Sequence, residues 1–158
     1  MKLHSIAGVG LMAIGLGAGP TSAYTLVPIN TSFTASGEMS LIGPGVGAGC
    51  IVKMRAKTNA SGVGKIEGSN FQTNVNCVKQ FKALGLPWTL RATGAGRGKI
   101  IGMTVFAAPQ TCGPGDLRVL ISAGGVISID SGGASLGDCT LYTNPPPIQT
   151  TPAITTAP

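Results

Sequence analysis

Four cysteines at regular spacing constrain the fold of this 158-residue chain more than any other feature. Cys50 and Cys77 are 27 positions apart (77 minus 50), and so are Cys112 and Cys139 (139 minus 112). An even set of cysteines is typical of disulfides when a chain is exported. A zinc site is the weaker interpretation, because the chain has no closely spaced cysteine pair.

Each of the two intervals contains one hairpin signal near its middle. Residues 51–58 and 63–71 are rich in β-forming residues and flank an Asn-Ala-Ser-Gly turn at 59–62. Residues 117–122 and 126–130 flank Ala-Gly-Gly at 123–125 in the same way. A hairpin returns the chain beside its own start. The spacing therefore favours Cys50–Cys77 and Cys112–Cys139 over the other two possible pairings.

Residues 1–23 have the pattern of a secretory signal peptide. Lys2 supplies a positive start, an apolar run covers residues 6–18, and Ala23 ends a small-residue exit. We therefore predict a secreted protein, extracellular or on the cell surface, with the periplasm as the alternative. The apolar run is too short to span a bilayer, so the processed chain is not expected to be an integral membrane protein.

Residues 24–143 are predicted to form one all-β domain. Short strands, many turns and no amphipathic helix of ten residues favour an antiparallel β-sandwich of Ig-like or Greek-key type, stapled by the disulfides, with a closed barrel second. Residues 43–49 are expected to be a flexible loop, and residues 78–84 look briefly helical. Residues 144–158 hold five prolines. We expect them to be an extended or disordered Pro/Thr-rich tail, or a strand donated to a neighbouring subunit.

Candidate contact residues are few. Lys53, Arg55 and Lys57 alternate along one predicted strand, so their side chains share a face. They form either a solvated face or a contact stripe for anionic lipid, polysaccharide or cell surface. Trp88, the only tryptophan, is either a core anchor or an exposed apolar contact. The partners considered are hydrophobic substrate, cell-surface components and a second copy of the chain. Nucleic acid is not expected.

Familiar catalytic schemes lack their residues. His4 is the only histidine, and signal-peptide cleavage would remove it, which excludes a nucleophile–histidine pair. The five acidic residues lie near predicted turns and strand ends, where solvated carboxylates are ordinary: Glu38, Glu67, Asp116, Asp130 and Asp138. The sequence thus predicts no catalytic residue, no metal site, no cofactor and no enzymatic activity.

Several segments together resemble a known family. They are residues 30–37 (Asn-Thr-Ser-Phe-Thr-Ala-Ser-Gly), the Cys50 strand, residues 58–62, Cys77, Leu86-Pro87-Trp88 and residues 111–114 (Thr-Cys-Gly-Pro). In this order they are similar to the PraB-like family of small secreted bacterial proteins named protein activator of alkane oxidation. The resemblance covers nearly all of the chain after the predicted signal peptide.

The resemblance implies a non-enzymatic accessory protein for growth on long-chain alkanes. Family members are thought to help cells meet or emulsify the oily substrate, and no catalytic residues come with the resemblance. Alkane oxidation itself uses iron or flavin chemistry, for which this chain offers no evident site. The alternatives are a surface adhesin or biofilm subunit that self-assembles through sheet edges, and a hydrolase of surface polymers.

Overall fold

The computed structural model describes residues 23–72, 77, 81–130 and 132–158, and in them the chain forms twelve antiparallel strands. The predicted signal peptide lies outside this part, apart from Ala23. The strands are β1 (Thr25–Val27), β2 (Ser32–Gly43), β3 (Val46–Thr58), β4 (Gly64–Gln72), β5 (Phe81–Leu84), β6 (Trp88–Gly94), β7 (Arg97–Ala107), β8 (Gln110–Ile121), β9 (Val126–Ile129), β10 (Ala134–Leu136), β11 (Cys139–Thr151) and β12 (Thr155–Ala157).

Eight of these strands form a closed barrel. They follow one another around it in the order β11-β2-β3-β4-β6-β7-β8-β9, and β9 pairs with β11 to complete the ring. Leu141 of β11 faces Leu41 of β2, and Ile148 of β11 faces Ile127 of β9. The expectation of an all-β antiparallel fold is confirmed. The preferred sandwich arrangement is replaced by the barrel, because the closing strand pairs on both sides.

Two long strands, β7 and β11, each pair with two different strands along the same edge. β5 pairs with the last part of β7, whereas β6 pairs with its first part. Likewise β10 pairs with the start of β11, whereas β9 pairs with its later part. The helical interpretation of residues 78–84 is wrong for Phe81–Leu84, which are β5, and residues 78–80 lie outside the described part.

The interior of the barrel is filled by alternating inward side chains. Inward positions of β3, for example, carry Cys50, Val52, Met54 and Ala56, all buried. Two small interior cavities lie between such residues, one beside Met103 and the other beside Phe71, and each measures about 10 Å³. A space of that size holds at most about one water molecule. These parts of the core are therefore packed side chains.

Both predicted hairpins are present. The β3–β4 turn is held by Asn59, whose Oδ1 accepts hydrogen bonds from the amides of Ser61 and Val63. The β8–β9 turn runs over residues 122–125, with the Gly125 amide donating to the Ser122 carbonyl. The expected loop at residues 43–49 is much shorter, because β2 and β3 pair from Gly43 and Val46 onward. Only a tight two-residue connection remains there.

The disulfides join Cys50 to Cys77 and Cys112 to Cys139, the two pairs that the spacing favoured. Their Cα–Cα distances are 6.0 and 5.6 Å. The hairpin argument describes the first pair well, since β4 returns beside Ile51. The second pair depends on an extra strand: β10 turns directly into β11, and Cys139 opposes Leu136 there.

The C-terminal segment belongs to the barrel, which corrects the expected disordered tail. Residues 144–151 continue β11, and β12 pairs with β1, bringing Thr155 opposite Val27. Ile154 is fully buried and fills this end of the barrel together with Leu26. No helix in the described residues has the length and apolar character needed to cross a bilayer.

Candidate functional site

The basic stripe Lys53, Arg55 and Lys57 lies on the outer wall of β3. All three side chains are exposed and alternate with buried neighbours, as the strand period requires. Across the ladder on the β2 side they face Ser36, Thr34 and Ser32, which are small and uncharged. The stripe is therefore accessible along its whole length.

On its other side the stripe meets β4. The Arg55 guanidinium lies against Gly68, where an added Cβ would come within 3.1 Å of an arginine nitrogen. A shallow groove of about 330 Å³ runs past Arg55, Thr34 and Glu67. Glu67 is the extra residue of a bulge in β4, because Arg55 pairs with Gly68 and Ala56 pairs with Ile66. The bulge places the Glu67 carboxylate beside the stripe.

Basic residues continue around the barrel beyond β3. Lys57 faces Lys65 on β4, Arg91 on β6 faces Lys99 on β7, and Lys99 faces Arg118 on β8. We call these five residues the basic belt. In the sequence they are spread from position 57 to position 118, and only the strand order brings them side by side. Reading the sequence for runs of charge could not find the belt.

Two lysines of the belt have polar partners among the described residues. Lys99 Nζ lies 3.6 Å from Asp116 Oδ2, and both side chains are partly exposed. Asp116 Oδ1 also accepts a hydrogen bond from the Gly102 amide. Lys65 Nζ donates to Thr89 Oγ1 over 2.7 Å. These are exposed contacts of the kind that contribute little to stability.

A second groove adjoins the belt at its β7–β8 end. It measures about 480 Å³ and is lined by Arg97, Lys99, Arg118 and Asp130, together with Thr93 and Leu120. Three of its four charged lining groups are cationic. The groove is therefore suited to an anionic ligand.

Trp88 is not a surface contact, contrary to one of the two interpretations. Its side chain is 1% exposed, and its indole Nε1 donates to the Leu84 carbonyl over 2.8 Å. This hydrogen bond links β6 to β5, the two strands that pair with successive parts of β7. The core interpretation is confirmed.

The acidic residues are dispersed over the barrel. Glu38 accepts a hydrogen bond from Asn144, Asp116 lies beside Lys99, and Asp130 follows β9. Within the described ranges no three His, Cys, Asp or Glu side chains gather as metal ligands. On the described surface it is therefore the basic side chains, and not the acidic ones, that lie close together.

A family model described as alkane oxidation protein activator PraA/PraB-like matches residues 1–158. No curated protein and no solved structure matches the chain.

Proposed function

The chain belongs to the alkane oxidation protein activator PraA/PraB-like family, and from this premise we propose that it is a secreted, non-enzymatic accessory protein for growth on long-chain alkanes. It would act at the cell surface or at the oil–water interface, promoting uptake or dispersion of the hydrocarbon. The family match is the observation that carries this proposal.

The packed interior supports action through the outer surface. Sites for small ligands usually measure about 300–1,000 Å³. The interior cavities beside Met103 and Phe71 measure about 10 Å³ each. A long-chain alkane does not fit into either of these two cavities, which favours contact with hydrocarbon at the outer surface.

The outer wall offers isolated apolar contacts to oil. The exposed large apolar side chains in the described residues are Ile29, Ile42, Leu84 and Leu120. They lie on different strands and loops, so adsorption would depend on several weak contacts. The two disulfides favour an oxidising compartment and would keep the barrel folded at an interface.

Gene deletion and droplet adsorption test this function together. A deletion strain should grow more slowly than its parent on hexadecane and equally well on succinate, and a plasmid copy should restore growth. Purified protein should be depleted from water by hexadecane droplets. If the deletion strain grows normally on hexadecane and the purified protein does not adsorb to the droplets, the proposed function is wrong.

A matched pair of variants examines the oil contact. Replacing Ile42 and Leu120 by Ser should weaken adsorption, because both side chains are about half exposed, 53% and 44%. Replacing the exposed Thr93 and Thr111 by Ser is the control and should leave adsorption unchanged. Equal adsorption of both variants would exclude Ile42 and Leu120 as contacts.

The adhesin alternative receives less support from this fold. Self-assembly through sheet edges needs unpaired strand edges, and closing a sheet into a barrel removes most of them. The C-terminal segment, the other candidate for assembly, is already paired with β2, β9 and β1 of the same chain.

A further inference from the structure

The basic belt brings like charges together at three ladder positions. Lys57 opposes Lys65, Arg91 opposes Lys99, and Lys99 opposes Arg118. Directly opposed side chains have Cβ atoms about 4.5–5.5 Å apart, and like charges in this arrangement are destabilising. The pattern therefore works against the stability of the isolated barrel and is better explained by a ligand.

The acidic groups nearby are too few to neutralise the belt. Asp116 lies beside Lys99, Glu67 lies in the groove with Arg55, and Asp130 lines the groove with Arg118. Arg97 adds a further cation at that groove. Lys57, Lys65, Arg91 and Arg118 are all exposed. The surface from β3 to β8 therefore keeps an excess of positive charge toward water.

The course of the belt indicates the form of its ligand. It crosses β3, β4, β6, β7 and β8, more than half of the eight positions of the closed ring. A flat bilayer would touch a convex wall along only a few strands, whereas an extended flexible polymer can follow the wall. Neighbouring strands are about 4.8 Å apart, so such a polymer would meet a new strand at roughly that interval.

The surface chemistry separates two kinds of polymer. Proteins that bind single-stranded nucleic acid stack the bases on exposed aromatic side chains. None of the seven aromatic residues is exposed here; Tyr24, Phe106 and Tyr142 are half-buried and the other four are buried. Guanidinium and ammonium groups pair well with carboxylates, arginine in a bidentate manner. Thr89 and Thr93, beside the belt, add hydroxyl groups.

We propose that the basic belt binds an acidic polysaccharide whose repeated carboxylate groups pair with Lys57, Lys65, Arg91, Lys99 and Arg118. The polymer runs across the strands around the barrel wall, and the groove at Arg97 and Asp130 receives one of its sugar units. This proposal does not rest on the alkane role, since it needs no hydrocarbon.

The test is binding of the purified, oxidised protein to sodium alginate, measured by calorimetry or biolayer interferometry. Replacing Arg91, Lys99 and Arg118 by Gln should weaken binding at low salt by about tenfold or more, and rising salt should weaken the native complex steeply. Replacing Arg91 and Arg118 by Lys keeps the charge and should retain most of the affinity.

A control variant carries the same change of charge outside the belt. Lys53, Arg55 and Lys82 replaced by Gln should change alginate binding by less than about threefold, since these cations lie off the belt. Neutral dextran should not bind. Oligothymidylate and phosphatidylglycerol vesicles should bind more weakly than alginate.

Three results would overturn the proposal. One is no binding of alginate by the native protein. Another is an equal loss of affinity in the belt variant and in the control variant, which would mean attraction by net charge alone. The third is tighter binding of oligothymidylate or of the vesicles than of alginate, which would assign the surface to a nucleic acid or a membrane.

Discussion

Gly37 shows how a single missing side chain permits the barrel to close. It lies on β2 where β11 bulges past, and an added Cβ would come within 2.6 Å of the Pro147 carbonyl oxygen. The neighbouring atoms belong to the backbone of residues 147 and 148, so a side-chain movement could not relieve the clash. Close approach of two backbones is a common reason for glycine in a strand.

Gly37→Ala should therefore destabilise the protein by about 1–3 kcal/mol, the usual range for overpacking in a core. The free energy of unfolding in urea measures this effect. Gly47→Ala is the matched control: Gly47 is an exposed strand glycine with nothing within 4 Å of an added Cβ. Its substitution should be neutral or slightly stabilising. Equal effects of the two variants would contradict the close-approach argument.

Thr58 is a buried polar residue that holds the connection between β1 and β2. It is fully buried, its Oγ1 donates to the Pro28 carbonyl over 2.7 Å, and it accepts from the Thr31 amide over 3.0 Å. These bonds fasten the segment between β1 and β2 to the end of β3. The Thr58 side chain thus supplies hydrogen bonds to backbone groups of a connection that has little strand pairing of its own.

Thr58→Val keeps the shape of the side chain and removes both hydrogen bonds. The Thr31 amide and the Pro28 carbonyl would lose the buried Thr58 hydroxyl as their partner, so we expect a loss of about 1–3 kcal/mol in urea unfolding. Thr111→Val, at an exposed position of β8, should cost much less. A Thr58→Val protein as stable as the native one would show that these bonds do not hold the connection.

At the scale of elements, β11 decides the topology. It keeps β2 as one neighbour but changes its other neighbour, from β10 at its start to β9 near its end. The change coincides with the register shift between Asn144 and Gln149, which contains Pro145, Pro146 and Pro147. Proline donates no ladder hydrogen bond and is tolerated at bulges. The proline run thus marks the irregular part of a strand that is otherwise fully paired.

The short ribbon of β1 and β12 closes one end of the barrel. The Leu26 amide donates to the Gly62 carbonyl, the Gly96 amide donates to Thr156 Oγ1, and the Ile154 amide donates to Thr150 Oγ1. The ribbon is thereby fastened to two hairpin turns and to β11. Its removal should uncover the apolar residues beneath it.

Truncation after Thr151 should lower stability by several kcal/mol without changing the oligomeric state of the protein. Ile154→Ala alone should cost about 2–5 kcal/mol, the range for burying one fewer large apolar side chain. Thermal unfolding and light scattering measure the two effects. Loss of a native oligomer on truncation, with no change in stability, would instead favour a strand that joins neighbouring subunits.

At the scale of the whole molecule, the barrel is a packed body with a polarised exterior. Its cations follow β3 to β8, whereas β2 presents mostly Ser and Thr to water. The wall therefore has one basic side and one neutral side. Function is expected on this wall because the two interior cavities beside Met103 and Phe71, about 10 Å³ each, are too small for a ligand.

Saturating hexadecane should leave the unfolding temperature unchanged within error when interfaces are excluded by a dialysis membrane. A ligand that binds only the folded state raises the free energy of unfolding by RT ln(1 + [L]/Kd), so the rise grows with the concentration of free ligand. With a packed interior we expect no such stabilisation. A concentration-dependent rise in the unfolding temperature would reveal an internal alkane site and contradict this account.

The sequence by itself determined the local features: the all-β class, both hairpins, the two cysteine pairs and the outward alternation of Lys53, Arg55 and Lys57. These depend on residues close in the chain, where turn chemistry and the two-residue period of a strand act directly. The family resemblance, carried by short motifs in order, was also readable without coordinates and agrees with the family model.

Tertiary structure alone decided the closure of the barrel and the position of the C-terminal segment. From the sequence, three prolines in a row predict an extended tail. In the structure this segment pairs with β2, because Gly37 of β2 lets the backbone at Pro147 approach closely. The basic belt likewise depends on which strands become neighbours, since Lys57 and Arg118 are far apart in sequence. Such contacts are set by non-local pairing and burial, which no local pattern encodes.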